Sequence, residues 1–266
     1  MIKQIPNIFT LLNLFFGCIA IVFILQNGMV ASNSDNGEMI LMLPEKIYWA
    51  SAFIGIAAVI DFLDGFVARL LKASSEMGKQ LDSLADVVSF GVAPAMIVYQ
   101  FLRLSFAQQE NGLEISMAWL LPAFIIPCAG AYRLARFNID TEQSDRFKGV
   151  PIPAVGLLIA SFPLIYWYAN NETAIGILLN QWFWFLLIVA VSYLMVSTLP
   201  MMALKFKDYS FKNNMTKYLL VIAAIVCSIA LGWLAVPIVF VIYVVLSLAT
   251  KSPAKNMIVP HDVQSR

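Results

Sequence analysis

Residues 61–86 read DFLDGFVARLLKASSEMGKQLDSLAD, which sets Asp61, Asp64, Asp82 and Asp86 inside a chain that otherwise has the composition of a membrane protein. Of its 266 residues, 61% are hydrophobic and only 12% are charged, and the mean hydropathy is +0.80. Apolar runs of about twenty residues, long enough to cross a hydrocarbon core, recur along the sequence. Backbone groups in lipid are satisfied only in helices or closed barrels, and runs of this length belong to helices. An all-α, polytopic transmembrane bundle is therefore expected. Carboxylates at membrane depth are costly and mark function there.

Working outward from that stretch, hydropathy places spans near 8–26, 47–71, 83–104, 117–139, 151–170, 178–200, 216–232 and 234–250, eight in all. The last two are divided only by Gly232 and Trp233 ahead of Pro237, but one helix of 35 residues would overrun a bilayer. Ile2, Ile5 and Phe9, beside Lys3 and Gln4, suit a short interfacial helix before the first span. That span lacks a small-residue cleavage site and is read as a retained helix. Fifteen of the 17 Lys and Arg fall at one face, with Lys46 and Arg103 at the other, so both termini and residues 61–86 are expected to face the cytoplasm. Cys18, Cys128 and Cys227 lie singly in apolar stretches, as small lipid- or core-facing residues. With no repeat or soluble insert, one integrated domain over 1–266 is expected, its core about 1–210 and two additional spans at about 216–250.

On a helix advancing about 100° per residue, Asp61, Asp64, Gly65 and Ala68 fall within an arc of roughly 100°. Two carboxylates and two minimal side chains thus share one face at the end of the second span. Asp82 and Asp86, four apart, form a second pair on a face with Ser89 and Ala93, and Gly78 is expected in the turn between the helices. A short hairpin brings both pairs to the membrane–water boundary. Four ionised carboxylates so close repel one another, so either some are protonated or a cation sits among them, and a divalent cation is the better account. Oxygen-only ligation, without His or Cys nearby, selects Mg²⁺ or Mn²⁺ over zinc. Carboxylate-bound Mg²⁺ completes its octahedron with substrate phosphates, which points to a diphosphate-bearing substrate. Gly65 and Ala68 leave room for it, and Arg69 offers a bidentate phosphate clamp. One such aspartate alone would be an ordinary helix cap or a partner for Arg69, Lys72 or Lys79; four in register with Gly65, Ala68, Arg69 and Gly78 are not.

The full pattern Asp-x2-Asp-Gly-x2-Ala-Arg-x8-Gly-x3-Asp-x3-Asp resembles the signature of the CDP-alcohol phosphatidyltransferases, with all eight defining positions present. The resemblance implies that an alcohol hydroxyl attacks the β-phosphorus of CDP-diacylglycerol, or a related CDP-linked donor, and releases CMP. It implies that Asp61, Asp64 and Asp82 principally hold the metal ions and that Asp86, beside them at the metal, is also the general base. Gly65, Ala68, Arg69 and Gly78 match positions that line the nucleotide and diphosphate. Homodimers, and the cytoplasmic (inner) membrane of a bacterium, go with the resemblance; a nucleic-acid polymer does not.

Further pieces are similar to one branch, the membrane-integral phosphatidylserine synthases: Ile5-Pro6-Asn7 with Thr10, Asn13 and Gly17; Tyr132 to Asn138; Phe147 to Ala154; and Met195-Val196-Ser197 before Pro200. This implies L-serine as acceptor. Serine is a zwitterion whose carboxylate needs a cation, and Arg133 and Arg136, one turn apart, with Lys148, are candidate serine or phosphate contacts. Arginines at such depth equally serve as headgroup anchors. Gly149, Pro151 and Pro153 make a stiff, extended lead into the fifth span. The single histidine, His261, lies in the polar tail, which favours direct metal-assisted displacement over a covalent phosphatidyl-histidine. Two alternatives stand beside this reading. A sister enzyme using glycerol 3-phosphate or inositol phosphate would want a denser cationic pocket, and a cation transporter would place its carboxylates nearer the midplane on broken helices.

Overall fold

The protein, in a computed structural model, is described over residues 5–33, 39–71, 73, 75–109, 112–140, 146–202 and 211–250. Lys72, His261 and residues 1–4, to which parts of the sequence reading refer, lie outside these. The chain begins with α1 (Ile5–Gln26), crosses a short hairpin of β1 (Val30–Asn33) and β2 (Met39–Met42), and returns as α2 (Tyr48–Leu70). Next come α3 (Glu76–Asp86), a π-helical segment (Val87–Val92) and α4 (Ala93–Ala107), followed by α5 (Ile125–Ile139) and β3 (Arg146–Lys148). Then come α6 (Ile152–Tyr168), α7 (Glu172–Leu178), α8 (Gln181–Val196), β4 (Pro200–Met202), α9 (Phe211–Leu231) and α10 (Ala235–Ala249). It is a polytopic helical bundle.

By length and apolarity, five continuous helical runs can cross a bilayer: Ile5–Gln26, Glu45–Leu70, Glu76–Ala107, Met117–Ile139 and Asn214–Ala249. The bent pair α7 and α8 makes a sixth if it counts as one span. The reading of eight also counted α6, an apolar helix of 17 residues, and divided the last run. A break does divide that run. Leu231 leaves helical geometry at φ −124°, and Gly232 takes φ +56°, the left-handed conformation that ends helices at glycine. Along the most apolar window of this run only 11% of residues are buried, and Ile222, Ile225, Val226 and Ile229 are exposed, the surface of a helix solvated by lipid.

Four local features depart from the sequence reading. Ile5 to Thr10 are the first turns of α1 itself, with no separate interfacial helix among the described residues; Pro6 is tolerated there because N–H groups in a first helical turn have no partner. α3 begins at Glu76, capped by Ser75 accepting from the Gly78 amide, so Gly78 sits inside the helix rather than in a connecting turn. The segment expected at 178–200 is two helices bent by 73°, with Asn180 capping α8 through the Trp182 amide. Residues 87–92 widen to π geometry, the Ala93 amide donating to Val88, because Pro94 has no N–H to give and its ring displaces the carbonyl one turn back. The strands, none of them expected, pair as β1–β2 and β3–β4.

α1 and α2 pack antiparallel. Phe23 meets Trp49 and Phe53 near one end, with ring centroids 6.3 and 5.3 Å apart, and Thr10 meets Asp64 near the other. The buried residues of α1 are Pro6, Thr10, Asn13, Gly17, Ala20 and Ile24, a single stripe at helical spacing. At Gly17 the stripe crosses the π segment so closely that an added Cβ would stand 2.8 Å from the Ser89 Cα. The core beyond is aromatic: Trp184 is fully buried, stacked on Phe101 at 5.0 Å, its indole donating to Leu178 O.

Gly17→Val is expected to lower the melting temperature of the detergent-solubilised protein, since overpacking costs about 1–3 kcal/mol. Gly55→Ala, where an added Cβ meets nothing within 4 Å, is expected to leave it unchanged or higher, and differential scanning fluorimetry compares the two.

Candidate active site

The four aspartates meet where the last turns of α2 pass α3 beside the first half of α1. Asp61, Asp64 and Asp82 each bring a carboxylate oxygen within 4.8 Å of the others. At that separation, and an effective dielectric of about 20, each ionised pair repels by about 3–4 kcal/mol, which a shared cation reverses. The set fits a hard divalent ion: three carboxylates offer oxygen alone, gathered closely enough for one small cation to reach all of them. Asp82 Oδ1 is buried with no hydrogen-bond donor among the described residues, which suits an oxygen that ligates a cation. Asp86 lies behind the three, only 6% exposed and adjacent to Asp61.

Side chains from α1 hold two of these carboxylates. Thr10 Oγ1 donates to Asp64 Oδ2 at 2.8 Å, and Asn13 Nδ2 donates to Asp86 Oδ1 at 3.4 Å. Asn13 is itself fixed in the helix crossing, where Ser89 Oγ donates to its carbonyl at 3.0 Å. Such outer partners orient ligands and tune the ion they hold. The sequence alone assigns neither residue a role, although Pro6, Thr10, Asn13 and Gly17 fall at i, i+4, i+7 and i+11 on one helical face.

In front of the aspartates opens a cavity of about 530 Å³ lined by Pro6, Asn7, Thr10, Asp64, Gly65, Ala68, Ala73, Ser75, Glu76, Gly78, Lys79 and Asp82. Gly65, Ala68 and Gly78, the positions expected to line a diphosphate, therefore share one space with Asp64 and Asp82. An added Cβ at Gly65 would meet nothing within 4 Å, so bare backbone faces the opening. Arg69 is exposed at the last turn of α2 and is not part of the lining. Lys79 lines the cavity and ties α3 to α5 by donating to Asn138 O at 2.8 Å.

The cations proposed for an acceptor separate into different tasks. Arg136 is committed to main-chain carbonyls, donating to Val196 O at 2.6 Å and Ser197 O at 2.9 Å, where it caps the end of α8. Lys148 pairs with Asp140 at 2.7 Å. Arg133 alone turns inward: it is 6% exposed, within electrostatic reach of Asp86, and its Nε has no acceptor among the described residues.

Residues 3–189 match the CDP-alcohol phosphatidyltransferases. The chain belongs to that family. A CDP-diacylglycerol–serine O-phosphatidyltransferase of Helicobacter pylori strain J99 is 37% identical over 148 residues, which cover 52% of this chain and 56% of that protein. The chain thus spans little more than half of that relative's length. An archaetidylserine synthase of Methanothermobacter thermautotrophicus is 32% identical over 197 residues, covering 73% of this chain and 68% of its own. A CDP-diacylglycerol–serine O-phosphatidyltransferase of Mycobacterium tuberculosis is 29% identical over 237 residues, covering 86% and 71%. Within the family signature, Asp61, Asp64 and Asp82 form the acidic group that can hold a divalent metal ion.

Thr10→Val removes the donor to Asp64 without changing a carboxylate. It is expected to weaken Mn²⁺ binding about ten- to a hundredfold, read by electron paramagnetic resonance of free Mn²⁺ in titrations of the purified protein.

Proposed function

We propose that this protein transfers the phosphatidyl group of CDP-diacylglycerol to L-serine, giving phosphatidylserine and CMP. The observation that carries the reading is the convergence of Asp64, Asp82, Gly65, Ala68 and Gly78 on one cavity, with the Asn13-held carboxylate of Asp86 behind it. The names of the relatives, which include serine phosphatidyltransferases and an archaetidylserine synthase, support serine as the acceptor.

In the proposed reaction the serine hydroxyl oxygen bonds to the β-phosphorus. The bond from that phosphorus to the bridging oxygen breaks, and CMP leaves carrying the bridging oxygen. Asp86 takes the hydroxyl proton, and Asn13 keeps its carboxylate oriented. Mg²⁺ or Mn²⁺, held by Asp61, Asp64 and Asp82 with Asp86 beside them, supplies charge neutralisation to the diphosphate when bound. Gly65 and Ala68 let the diphosphate approach the α2 backbone, and Arg69 at the helix end meets the nucleotide side. Arg133, a buried guanidinium with an unused donor, receives the acceptor's carboxylate. The distribution of Lys and Arg, fifteen to two, supports an active site and termini that face the cytoplasm. The broad apolar faces of the helices suit a homodimer in the bilayer.

CMP release by the purified protein in detergent with Mg²⁺ or Mn²⁺ is expected with L-serine and not with glycerol 3-phosphate or inositol phosphate. Release with another acceptor instead would overturn the choice of serine. Asp86→Asn is expected to abolish turnover while the protein remains folded and membrane-inserted; wild-type rates would remove the general-base role.

A further inference from the structure

The cavity in front of the aspartates sets one ammonium among carboxylates: Asp64, Glu76 and Asp82 line it together with Lys79, the only basic residue among its described lining. Lys79 stands half-buried on α3, one turn outward from Asp82, so the two side chains share the face that meets the opening. Its ammonium donates to Asn138 O at 2.8 Å, a carbonyl in the last turn of α5, and no carboxylate pairs with it among the described residues. That bond belongs to a closed circuit. Asn138 Nδ2 donates to Ser83 Oγ at 2.8 Å, and Ser83 Oγ donates to Lys79 O at 3.1 Å. The circuit holds the lysine between α3 and α5, and because an ammonium carries three N–H donors, two are left for a guest. A cation that spends one donor on a neutral carbonyl, beside a chamber able to take a phosphate, is placed for an anion. Along α3 the order outward is Asp86, Asp82, Lys79, and the seven residues from Asp86 to Lys79 span about 10 Å of helix rise.

We propose that Lys79 binds the phosphate next to the nucleoside, the α-phosphate of the CDP-linked donor, and keeps that contact on the CMP that leaves. This rests on the functional reading above. Asp86, the proton acceptor, marks where the β-phosphorus reacts, and Asp82 of the metal-holding group lies one turn farther out. The next position outward on that face therefore meets the phosphate that departs with the cytidine. A lysine ammonium is a point charge on a flexible stem, which suits non-bridging phosphate oxygens without the planar alignment a guanidinium needs. A side chain already tethered to Asn138 also loses less freedom when the anion arrives. The contact falls on the donor and not on the acceptor, because along α3 Lys79 lies beyond Asp82 from the reacting hydroxyl.

Lys79→Gln removes the charge and keeps an N–H donor. In the full-length protein with Mg²⁺ it is expected to weaken CMP binding about tenfold in isothermal titration calorimetry and to raise the KM for CDP-diacylglycerol to a similar extent, the scale of a lost hydrogen bond to a charged group. The KM for L-serine should stay within about twofold, so that the loss reads as one interaction with the donor. Lys79→Met, apolar and of similar length, should lose the same affinity, and Lys79→Arg should keep most of it. Ser83→Ala opens the circuit between α3 and α5 without touching the ammonium, and is expected to lower the melting temperature while CMP affinity stays as in the wild type. Wild-type CMP affinity in both neutral variants, an equal loss in Ser83→Ala, or a parallel rise in both KM values would each overturn the proposal and leave Lys79 a tie between helices. Wild-type protein that neither binds CMP nor releases it with any acceptor would overturn the functional reading, and this inference with it. Loss of CMP affinity in the neutral variants of a protein that uses an acceptor other than serine would support the inference and overturn only the choice of serine.

Discussion

Three carboxylates held within 4.8 Å of one another, with the fourth, Asp86, beside Asp61, in a protein whose surroundings are lipid, are the constraint on which this end of the bundle depends. Left to themselves they would repel, and the surrounding structure reads as the means of keeping them together. α1 turns its polar stripe toward them, and Thr10 and Asn13 each take one oxygen. For those side chains to reach, α1 must cross close to the segment that carries Asp86. Gly17 permits the crossing and Ser89 secures it. The π turn directly after Asp86 belongs to the same solution, because the wider turn carries the chain past α1 while Pro94 restarts the regular helix beyond it. Bundle packing and site chemistry are the same contacts here.

Much of this was legible in the chain, and what was hidden was hidden for physical reasons. Hydropathy and the aspartate spacing depend on single-helix periodicity, so they pointed correctly to a helical membrane bundle and to a carboxylate group with Gly65, Ala68 and Gly78 beside it. Arg69 adjoins the motif in sequence and stands exposed at the last turn of α2, at the edge of the site rather than among the residues that line the cavity. The roles of Thr10 and Asn13 depend on which face of α1 meets α2 and α3, which no property of α1 alone determines. The spacing of its polar residues was the available signal. Helix ends were misjudged where local chemistry overrides hydropathy: Ser75 starts α3 early, and Asn180 restarts a helix in the middle of an apolar run. Arg133 and Arg136 look equivalent in sequence and are not. Three positions on a helix differ by about 60° in direction, enough to send one guanidinium to the helix end of α8 and the other toward Asp86.

At the ends of the helices the chain also solves a problem imposed by lipid. Terminal carbonyls of a membrane helix cannot rely on water, and each open one is costly. Arg136 supplies donors to the end of α8, while the short β3–β4 ladder satisfies main chain that would otherwise be exposed between spans. Gly149 lets that ladder turn into α6 by adopting φ +77° while its amide donates to Leu199 O at 2.9 Å. The strands are small, but they make the ends of α5, α6, α8 and α10 one connected network.

Gly65 separates two properties that usually travel together. Open space in front of it means that an added Cβ there would meet no neighbour within 4 Å, and in a helix interior alanine is favoured over glycine. Fold stability therefore exerts no pressure to keep a hydrogen at this position; the volume it leaves belongs to whatever enters the cavity. A population of variants sorted only for expression would let Gly65 drift toward alanine, and would accumulate well-folded molecules whose binding chamber had been narrowed from within.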